Sequence, residues 1–224
     1  MIFKVNGERN SGTSFLINIL ELNNIPVFRE KYIKNICHFW KHRIPNKKQK
    51  DIDERVIDIF IFRELNSWLQ ATHFRPYHLK RYYNFEEFLV NKQYSREKKE
   101  RDNITNKILN HDDNGKTIFE IRYYKFNKII EYRDNYKDII FVNLSYLQNK
   151  NNCHEFIRTL SDLYNLNLDD DLIIDEIPFH VKTKEKTKNR TYETNIYDYL
   201  DIIETRKNNN IENFINELTY KIYY

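Results

Sequence analysis

Apolar residues recur along this chain with two different spacings. Short apolar stretches suitable for strands occupy residues 2–6, 36–40, 56–62 and 139–144. Apolar residues spaced as on one face of a helix occupy residues 13–22, 85–91, 118–132, 155–164 and 211–219. The stretch at 56–62 is apolar enough for a strand that is buried on both faces of a parallel sheet. Strands that alternate with helices predict an α/β fold of three layers, with a central parallel sheet between two layers of helices.

The length and composition of the chain favour a single domain. Its 224 residues, 40% of them hydrophobic, can bury one sizeable core, so residues 1–224 are predicted to form one domain. The polar stretch at 94–115 and the basic stretch at 182–190 are predicted to be surface excursions and not domain linkers.

Charge and cysteine content narrow the possible partners. Lys and Arg number 37 against 33 Asp and Glu, which gives a formal net charge of +4. Such a balance does not demand a nucleic-acid partner, so any anion site must be local. The two cysteines, Cys37 and Cys153, cannot form a disulfide framework, and neither lies in a C-x-x-C metal motif.

The sequence also carries signals about location. No stretch approaches the roughly 20 apolar residues that cross a bilayer, and the first residues lack the basic-then-apolar order of a signal peptide. We therefore expect a cytoplasmic protein with no membrane partner. The abundance of Asn, Lys, Ile and Tyr is typical of AT-rich coding and suggests a viral or low-GC microbial origin. For a viral protein, the host-cell cytoplasm or the virion would be the location.

The glycine spacing of a phosphate-binding loop, G-x-x-x-x-G, occurs in Gly7-Glu-Arg-Asn-Ser-Gly-Thr-Ser14, between a predicted strand and a predicted helix. Two of the three glycines of the chain lie here. Successive backbone amides and a helix N-terminus attract an anion, and Thr13 and Ser14 add hydroxyl donors. The alternative is an ordinary helix start that is capped by the side chain of Ser11 or Thr13.

The loop differs from the common nucleoside-triphosphate version, which ends in Gly-Lys-Ser/Thr and holds Mg²⁺. Thr13 stands in the lysine position. The strand at 56–62 is followed by Arg63 and not by an acidic residue suited to a metal. The sequence therefore favours a ligand that is held by direct basic contacts.

The segment Arg9-Asn-Ser-Gly-Thr-Ser14 resembles the first loop of the sulfotransferases that use 3′-phosphoadenylyl sulfate (PAPS), whose fold is related to the P-loop kinases. The resemblance implies that Ser11, Gly12, Thr13 and Ser14 cradle the 5′-phosphosulfate, in a loop that also contains Gly7, Arg9 and Asn10. In many members the catalytic lysine directly precedes Ser-Gly-Thr. Here Asn10 occupies that position, and Arg9, one residue earlier, is the candidate cation.

A second segment, residues 62–72, is similar to the family's strand exit Arg-x-Pro-x-x-x-x-x-Ser, which grips the 3′-phosphate. Arg63 falls in the arginine position, and its guanidinium can hold a phosphate bidentately. Leu65 stands in the proline position and Ala71 in the serine position, with Ser67 or Thr72 as possible substitutes for the serine. The alternative for Arg63 is a solvated charge at the end of a strand.

A third segment, residues 39–45, resembles the part of the family that places a lysine, a histidine and a proline near the acceptor. His42 is the candidate base for the acceptor hydroxyl, and Lys41 is a candidate to stabilise charge on the transferring group. The segment 73–78 is a rival source of acceptor contacts or a simple turn. Lys188 and Arg190 are candidates for the family's basic loop over the 3′-phosphate, or part of a solvated charge run.

The resemblance implies transfer of SO₃ from PAPS, in line and without a metal or a covalent intermediate, to a hydroxyl or amine acceptor. Catalysis would rest on positioning and electrostatics. The acceptor would be a small molecule or a glycan, and a carbohydrate is suggested by analogy. Three alternatives stay open: a P-loop kinase or NTPase, a non-catalytic nucleotide-binding member of the same fold, and nucleic-acid binding through basic runs with interleaved tyrosines.

Overall fold

Four strands form the sheet at the centre of the protein. The computed structural model describes residues 1–28, 56–76, 79–93, 115–168 and 195–224. In these parts of the chain the strands are β1 (Ile2–Gly7), β2 (Val56–Phe62), β3 (Ile139–Asn143) and β4 (Tyr220–Tyr223), and they lie side by side in the order β1-β2-β3-β4. β1, β2 and β3 are parallel, whereas β4 is antiparallel to β3.

The described helices are α1 (Thr13–Leu22), α2 (Leu65–Phe74), α3 (Phe85–Val90), α4 (Ile118–Asn135), α5 (Leu144–Gln148), α6 (Lys150–Tyr164), α7 (Leu200–Arg206) and α8 (Asn209–Glu217). The five predicted helices are present as α1, α3, α4, α6 and α8, although α6 begins five residues earlier than predicted. The helices α2, α5 and α7 were not predicted. Among the helices described, none is long and apolar enough to span a membrane.

The prediction of a wholly parallel sheet is wrong at β4. The Asn143 side chain at the end of β3 donates to the carbonyl of Ile215 in α8 at 2.6 Å, and its backbone N–H donates to the Thr219 carbonyl at 3.0 Å. The chain therefore leaves α8 beside the carboxyl end of β3. A strand that starts there can pair with β3 only by running in the opposite direction.

Two further strand predictions concerned residue 144 and residues 36–40. Residue 144 was expected to end a strand, but it begins α5 because the Asn143 side chain caps that helix by accepting from the Ser145 N–H at 2.9 Å. The predicted strand at 36–40 lies outside the described residues. Beyond β1, Val27 forms a single parallel bridge with Phe3.

The side chains of β2 alternate between two apolar clusters on the two faces of the sheet. Ile57, Ile59 and Ile61 pack with α1 and α6 on one face, whereas Phe60 and Phe62 pack with α4 and α8 on the other. Every residue of β2 is buried, as predicted for a strand covered on both faces. Helices on both sides of a central sheet confirm the α/β fold.

Asp58 is the polar residue in this strand, and its carboxylate is satisfied inside the protein. The Asn6 side chain donates to one carboxylate oxygen at 2.8 Å, and the Tyr132 hydroxyl donates to the other at 2.9 Å. Because buried polar groups need partners, these bonds fix β1 and α4 against β2.

A separate apolar cluster joins α2, α3, the start of α4 and α7. Its large members include Trp68, Phe85 and Phe88. The His73 ring lies among these aromatic rings, 5.1 Å from the centroid of Phe85. This cluster holds α2 in place beside the loop between β1 and α1.

Candidate functional site

The two glycines of the β1–α1 loop allow close packing that no other residue permits. An added Cβ at Gly7 would lie 2.6 Å from the Ile61 carbonyl oxygen in β2, and one at Gly12 would lie 2.6 Å from Cδ1 of Leu144. Gly12 also has a φ of 99°, in the left-handed region that favours glycine. The loop is therefore pressed against the carboxyl ends of β2 and β3.

Ser11 closes a tight turn inside the loop. Its hydroxyl donates to the Glu8 carbonyl at 2.7 Å, its backbone N–H donates to the same oxygen at 3.2 Å, and the residue is 1% exposed. The Ser11 hydroxyl thus shapes the loop from within. This is not the side-chain cap that was the alternative interpretation of the loop.

The amino end of α1 lies directly after this turn. Gly12 is the N-cap, no described side chain caps the helix, and its first turn contains no acidic residue. Ser14 is exposed at this end, whereas Thr13 is buried. The first turn of α1 therefore contains no carboxylate that would offset the partial positive charge of its N-terminus.

Asn10 ties the loop to the end of α2. Its φ of 66° lies in the left-handed region, which Asn tolerates better than most residues. The side-chain amide donates to Thr72 Oγ1 and to the Arg75 carbonyl, both at 3.3 Å. The residue in the family's lysine position is thus engaged in holding the loop.

Arg63 leaves β2 and reaches the same loop. Its Nη1 donates to the Asn10 carbonyl at 3.0 Å, and its Nε donates to Ser67 Oγ at 2.6 Å. Burial lowers the pKa of the guanidinium, and the charge of Glu64 opposes that change. Within the described part of the chain, Arg63 forms no ion pair. A partly desolvated cation without a counter-ion attracts an anion.

The structure distinguishes the two proposed substitutes for the missing serine. Ser67 contacts Arg63 directly, whereas Thr72 contacts Asn10. Ala71 lies on α2 between them in sequence and offers no polar group. Ser67 therefore supplies the hydroxyl beside Arg63, the candidate residue for binding the phosphate.

Arg9 borders a small cleft beside the loop. Its carbonyl accepts a hydrogen bond from the Trp68 indole N–H at 2.9 Å. The cleft has a volume of about 20 Å³, roughly the space for one or two water molecules. Glu8, Arg9, Thr72 and Lys125 line its polar part. The cleft is too small for a nucleoside. Two cationic residues, Arg9 and Lys125, line it beside the loop.

Sequence reasoning missed a buried ion network beneath the loop. Arg122 of α4, 1% exposed, pairs with Glu8 at 2.9 Å and with Glu212 of α8 at 2.8 Å. Burial alone would lower the pKa of Arg122, but the charges and hydrogen bonds of the two glutamates raise it. A signal was present, because Arg122 stands four residues after Ile118 and four before Phe126, on the apolar face of the helix.

Four of the predicted site residues, Lys41, His42, Lys188 and Arg190, lie outside the described residues. His73, of the rival acceptor segment, is 8% exposed, and its Nε2 lies 3.1 Å from the Tyr82 carbonyl. It belongs to the aromatic cluster and not to the loop. The described residues contain no group of three or more His, Cys, Asp or Glu side chains that could hold a metal ion.

Comparison with known proteins gives no relative: no family model, no curated protein and no solved structure matches this chain. The functional argument therefore rests on the residues of the loop, on Arg63 and on the contacts between them.

Proposed function

We propose that this chain is a PAPS-dependent sulfotransferase with a P-loop-like nucleotide site, acting on a hydroxyl or amine acceptor, with a carbohydrate as the class suggested by analogy. The observation that carries the proposal is the Arg63 guanidinium, which bonds the Asn10 carbonyl of the glycine loop at 3.0 Å and forms no ion pair with a carboxylate of the described residues. It brings a partly buried positive charge to a loop that leads into a helix N-terminus, which attracts anions.

The residues fit a ligand with two separate anionic groups. The loop from Gly7 to Ser14 and the start of α1 would bind the 5′ end through backbone amides and the exposed Ser14 hydroxyl. Arg63, together with Ser67, would bind the 3′-phosphate through charge-assisted hydrogen bonds. When bound, PAPS supplies an activated sulfuryl group and leaves as adenosine 3′,5′-bisphosphate.

The transfer step is assigned to three cationic or basic side chains. Arg9, which lines the cleft together with Lys125, would offset negative charge near the loop. His42 remains the predicted base for the acceptor hydroxyl, and Lys41 a second cation. Lys188 and Arg190 remain candidates for a further contact to the 3′-phosphate.

The placement of acidic groups supports a metal-free ligand over a magnesium nucleotide. β2 is followed by Arg63, and β3 ends at Asn143, whose amide bonds α8. Glu8 is the carboxylate within the loop, and Arg122 already pairs with it at 2.9 Å. A P-loop site holds Mg²⁺ with a loop hydroxyl, which Ser14 could supply, and with an acidic residue after a neighbouring strand. Arg63 and Asn143 occupy the corresponding positions of β2 and β3.

A second candidate is a non-catalytic protein of the same fold that binds the nucleotide. Asn10 favours it, because this residue stands where the family has its lysine and its side chain is held by Thr72 and Arg75. An assay of radiolabelled sulfuryl transfer to a panel of glycans and small hydroxyl compounds separates the two functions. Nucleotide binding without transfer, under conditions in which a known sulfotransferase is active, would favour the binding protein.

Calorimetry with adenosine 3′,5′-bisphosphate tests the nucleotide site. We expect binding that is unchanged by EDTA and weakened roughly 10- to 100-fold by Arg63→Ala, since a hydrogen bond to a charged group contributes about 1.5–3 kcal/mol. Adenosine 5′-monophosphate lacks the 3′-phosphate, so its weaker binding should change much less on this substitution, by no more than the loss of the bond to the Asn10 carbonyl explains.

The matched control is Arg206→Ala, which removes an exposed arginine at the end of α7. This variant should bind the bisphosphate like the wild type. If the wild type gives neither heat nor a thermal shift with the bisphosphate, the sulfotransferase proposal fails. Binding of ATP that requires Mg²⁺ would instead favour a P-loop kinase or NTPase.

A further inference from the structure

Arg122 connects the elements that carry the candidate anion site. Its Nη1 donates to the Glu8 carboxylate at 2.9 Å, and its Nη2 donates to the backbone carbonyl of Arg63 at 2.8 Å. Glu8 follows the first glycine of the loop, and Arg63 is the candidate phosphate ligand. One guanidinium thus bridges the carboxyl ends of β1 and β2.

The same guanidinium holds the loop through a second route. It lies 4.9 Å from the centroid of the Trp68 ring, in a cation–π contact. The Trp68 indole N–H in turn donates to the Arg9 carbonyl. Two consecutive loop residues, Glu8 and Arg9, are therefore fixed from the interior side.

Glu212 of α8 fixes the guanidinium itself. Its two carboxylate oxygens accept from Nε and Nη2 of Arg122 at 2.8 and 2.9 Å, in a bidentate arrangement. Glu212 is 4% exposed. This planar fork requires arginine, since lysine cannot donate in fixed directions to Glu8, Glu212 and a carbonyl at once.

Such a network is an inefficient way to stabilise a core. Well-packed apolar side chains often stabilise a protein as much as a buried ion pair does, because desolvation of the charges offsets their attraction. Its location, directly beneath the loop and the Arg63 backbone, points to a positioning role. Two carboxylates already pair with Arg122, so its guanidinium is not available to bind the anion in place of Arg63.

We propose that Arg122, locked by Glu212 of α8, is the positioning residue of the nucleotide site and makes the geometry of the β1–α1 loop depend on the C-terminal helix. The inference rests on the proposed function where it concerns the nucleotide. By linkage, a ligand that requires the ordered loop also stabilises the contact between Arg122 and α8.

Hydrogen exchange of the ligand-free protein tests the loop directly. The Ser11 and Leu16 amides, bonded to the Glu8 and Gly12 carbonyls, should exchange at least tenfold faster in Glu212→Gln and in Arg122→Lys. The amides of β2 should exchange faster only by the amount that the loss of global stability explains. Glu212→Gln is the milder change and serves if Arg122→Lys does not fold.

The nucleotide consequence is measured by calorimetry on the same variants. Their dissociation constants for adenosine 3′,5′-bisphosphate should rise at least tenfold. The control is Ile129→Val or Ile129→Ala, whichever loses a similar amount of Tm. Ile129 is a core residue of α4 that lies seven residues, about two turns, after Arg122 and takes no part in the hydrogen bonds of the network, so its substitution should change neither the loop amides nor the dissociation constant.

The outcomes separate this inference from the proposed function. Loop exchange equal to that of the Ile129 control overturns the positioning role, even if the wild type binds the bisphosphate. If the variants show faster loop exchange but the wild type does not bind the bisphosphate, Arg122 positions the loop. That result overturns both the role of Arg122 in nucleotide binding and the proposed function. Faster exchange with weaker binding supports both.

Discussion

At the scale of single residues, two arginines with the same chemistry have opposite electrostatic surroundings. Arg122 is buried between two carboxylates, whereas Arg63 lies 3.0 Å from a loop carbonyl and forms no ion pair within the described chain. A guanidinium keeps its charge in both settings. The charge of Arg122 is already paired with carboxylates, whereas the charge of Arg63 is paired with none among the described residues. Arg63 is consequently the residue that we assign to an anionic ligand.

Gly12 provides a test of how tightly the loop is packed. Gly12→Ala should destabilise the protein by about 2–4 kcal/mol, because a Cβ adds a clash 2.6 Å from Leu144 to the cost of a positive φ. Gly115→Ala is the matched control, since Gly115 also has a positive φ, 75°, but has open space around it. It should cost about 1–2 kcal/mol.

Urea unfolding of the two glycine variants measures the difference between them. Equal losses of the free energy of unfolding would mean that the Leu144 side chain moves aside without cost, and the loop would then not be pressed against the end of β3.

At the scale of elements, α1 and α4 begin in different ways. α4 has a capping box: the Thr117 side chain accepts from the Glu120 N–H at 3.3 Å, and the Glu120 side chain accepts from the Thr117 N–H at 2.6 Å. α1 has Gly12 as N-cap and no cap from a described side chain. Since a capping box satisfies orphan amides within the chain, α1 is the one of these two helices whose first turn is left uncapped by the described side chains.

Thr117→Ala tests the contribution of the cap to α4. We expect a loss of about 1 kcal/mol in the free energy of unfolding, within the range of 0.5–2 kcal/mol typical of N-caps. Thr205→Ala is the control: Thr205 is exposed in α7, and its hydroxyl donates to the Asp201 and Ile202 carbonyls of its own helix. That substitution should change the stability by less than about 0.5 kcal/mol.

A denaturant titration of both threonine variants, with unchanged m values, checks this expectation. If Thr117→Ala has no larger effect than Thr205→Ala, the cap seen in the structure does not contribute to stability.

At the scale of the whole molecule, the aromatic cluster around His73 makes stability depend on pH. Burial lowers the pKa of His73 below its usual 6.5, with a further lowering by the charge of Arg81 and an opposing effect from the bond to the Tyr82 carbonyl. The native ring therefore binds fewer protons than the unfolded one. The stability from this difference is complete above about pH 6.5 and decreases as the pH falls.

His73→Gln removes this titration while keeping a donor for the Tyr82 carbonyl. Between about pH 7.5 and about pH 5.5, the wild type should lose more of its free energy of unfolding than the variant, because protonation of His73 stabilises the unfolded wild type more than the folded one. Urea unfolding at the two pH values measures both losses. Parallel losses in the two proteins would show that His73 titrates normally in the folded state.

The sequence alone determined the elements whose signal is local. The apolar run of β2 predicted its bounds and its burial on both faces, since seven consecutive residues with one charge suit only a covered strand. The glycine spacing predicted the tight turn between β1 and α1 because backbone conformation at Gly12 is a local requirement. Arg63 and Arg9 were named as candidate site residues because their segments resemble those of the PAPS-dependent sulfotransferases.

Tertiary structure decided whatever depends on residues far apart in the chain. β4 runs antiparallel because α8 ends beside Asn143, and no periodicity within β4 records that contact. Arg122 is 114 residues from Glu8 and 90 from Glu212, so its helix alone could show only that a charge stood on an apolar face. The charges that neutralise Arg122 and leave Arg63 for a ligand come together only when α4, α8 and the loop pack against one another.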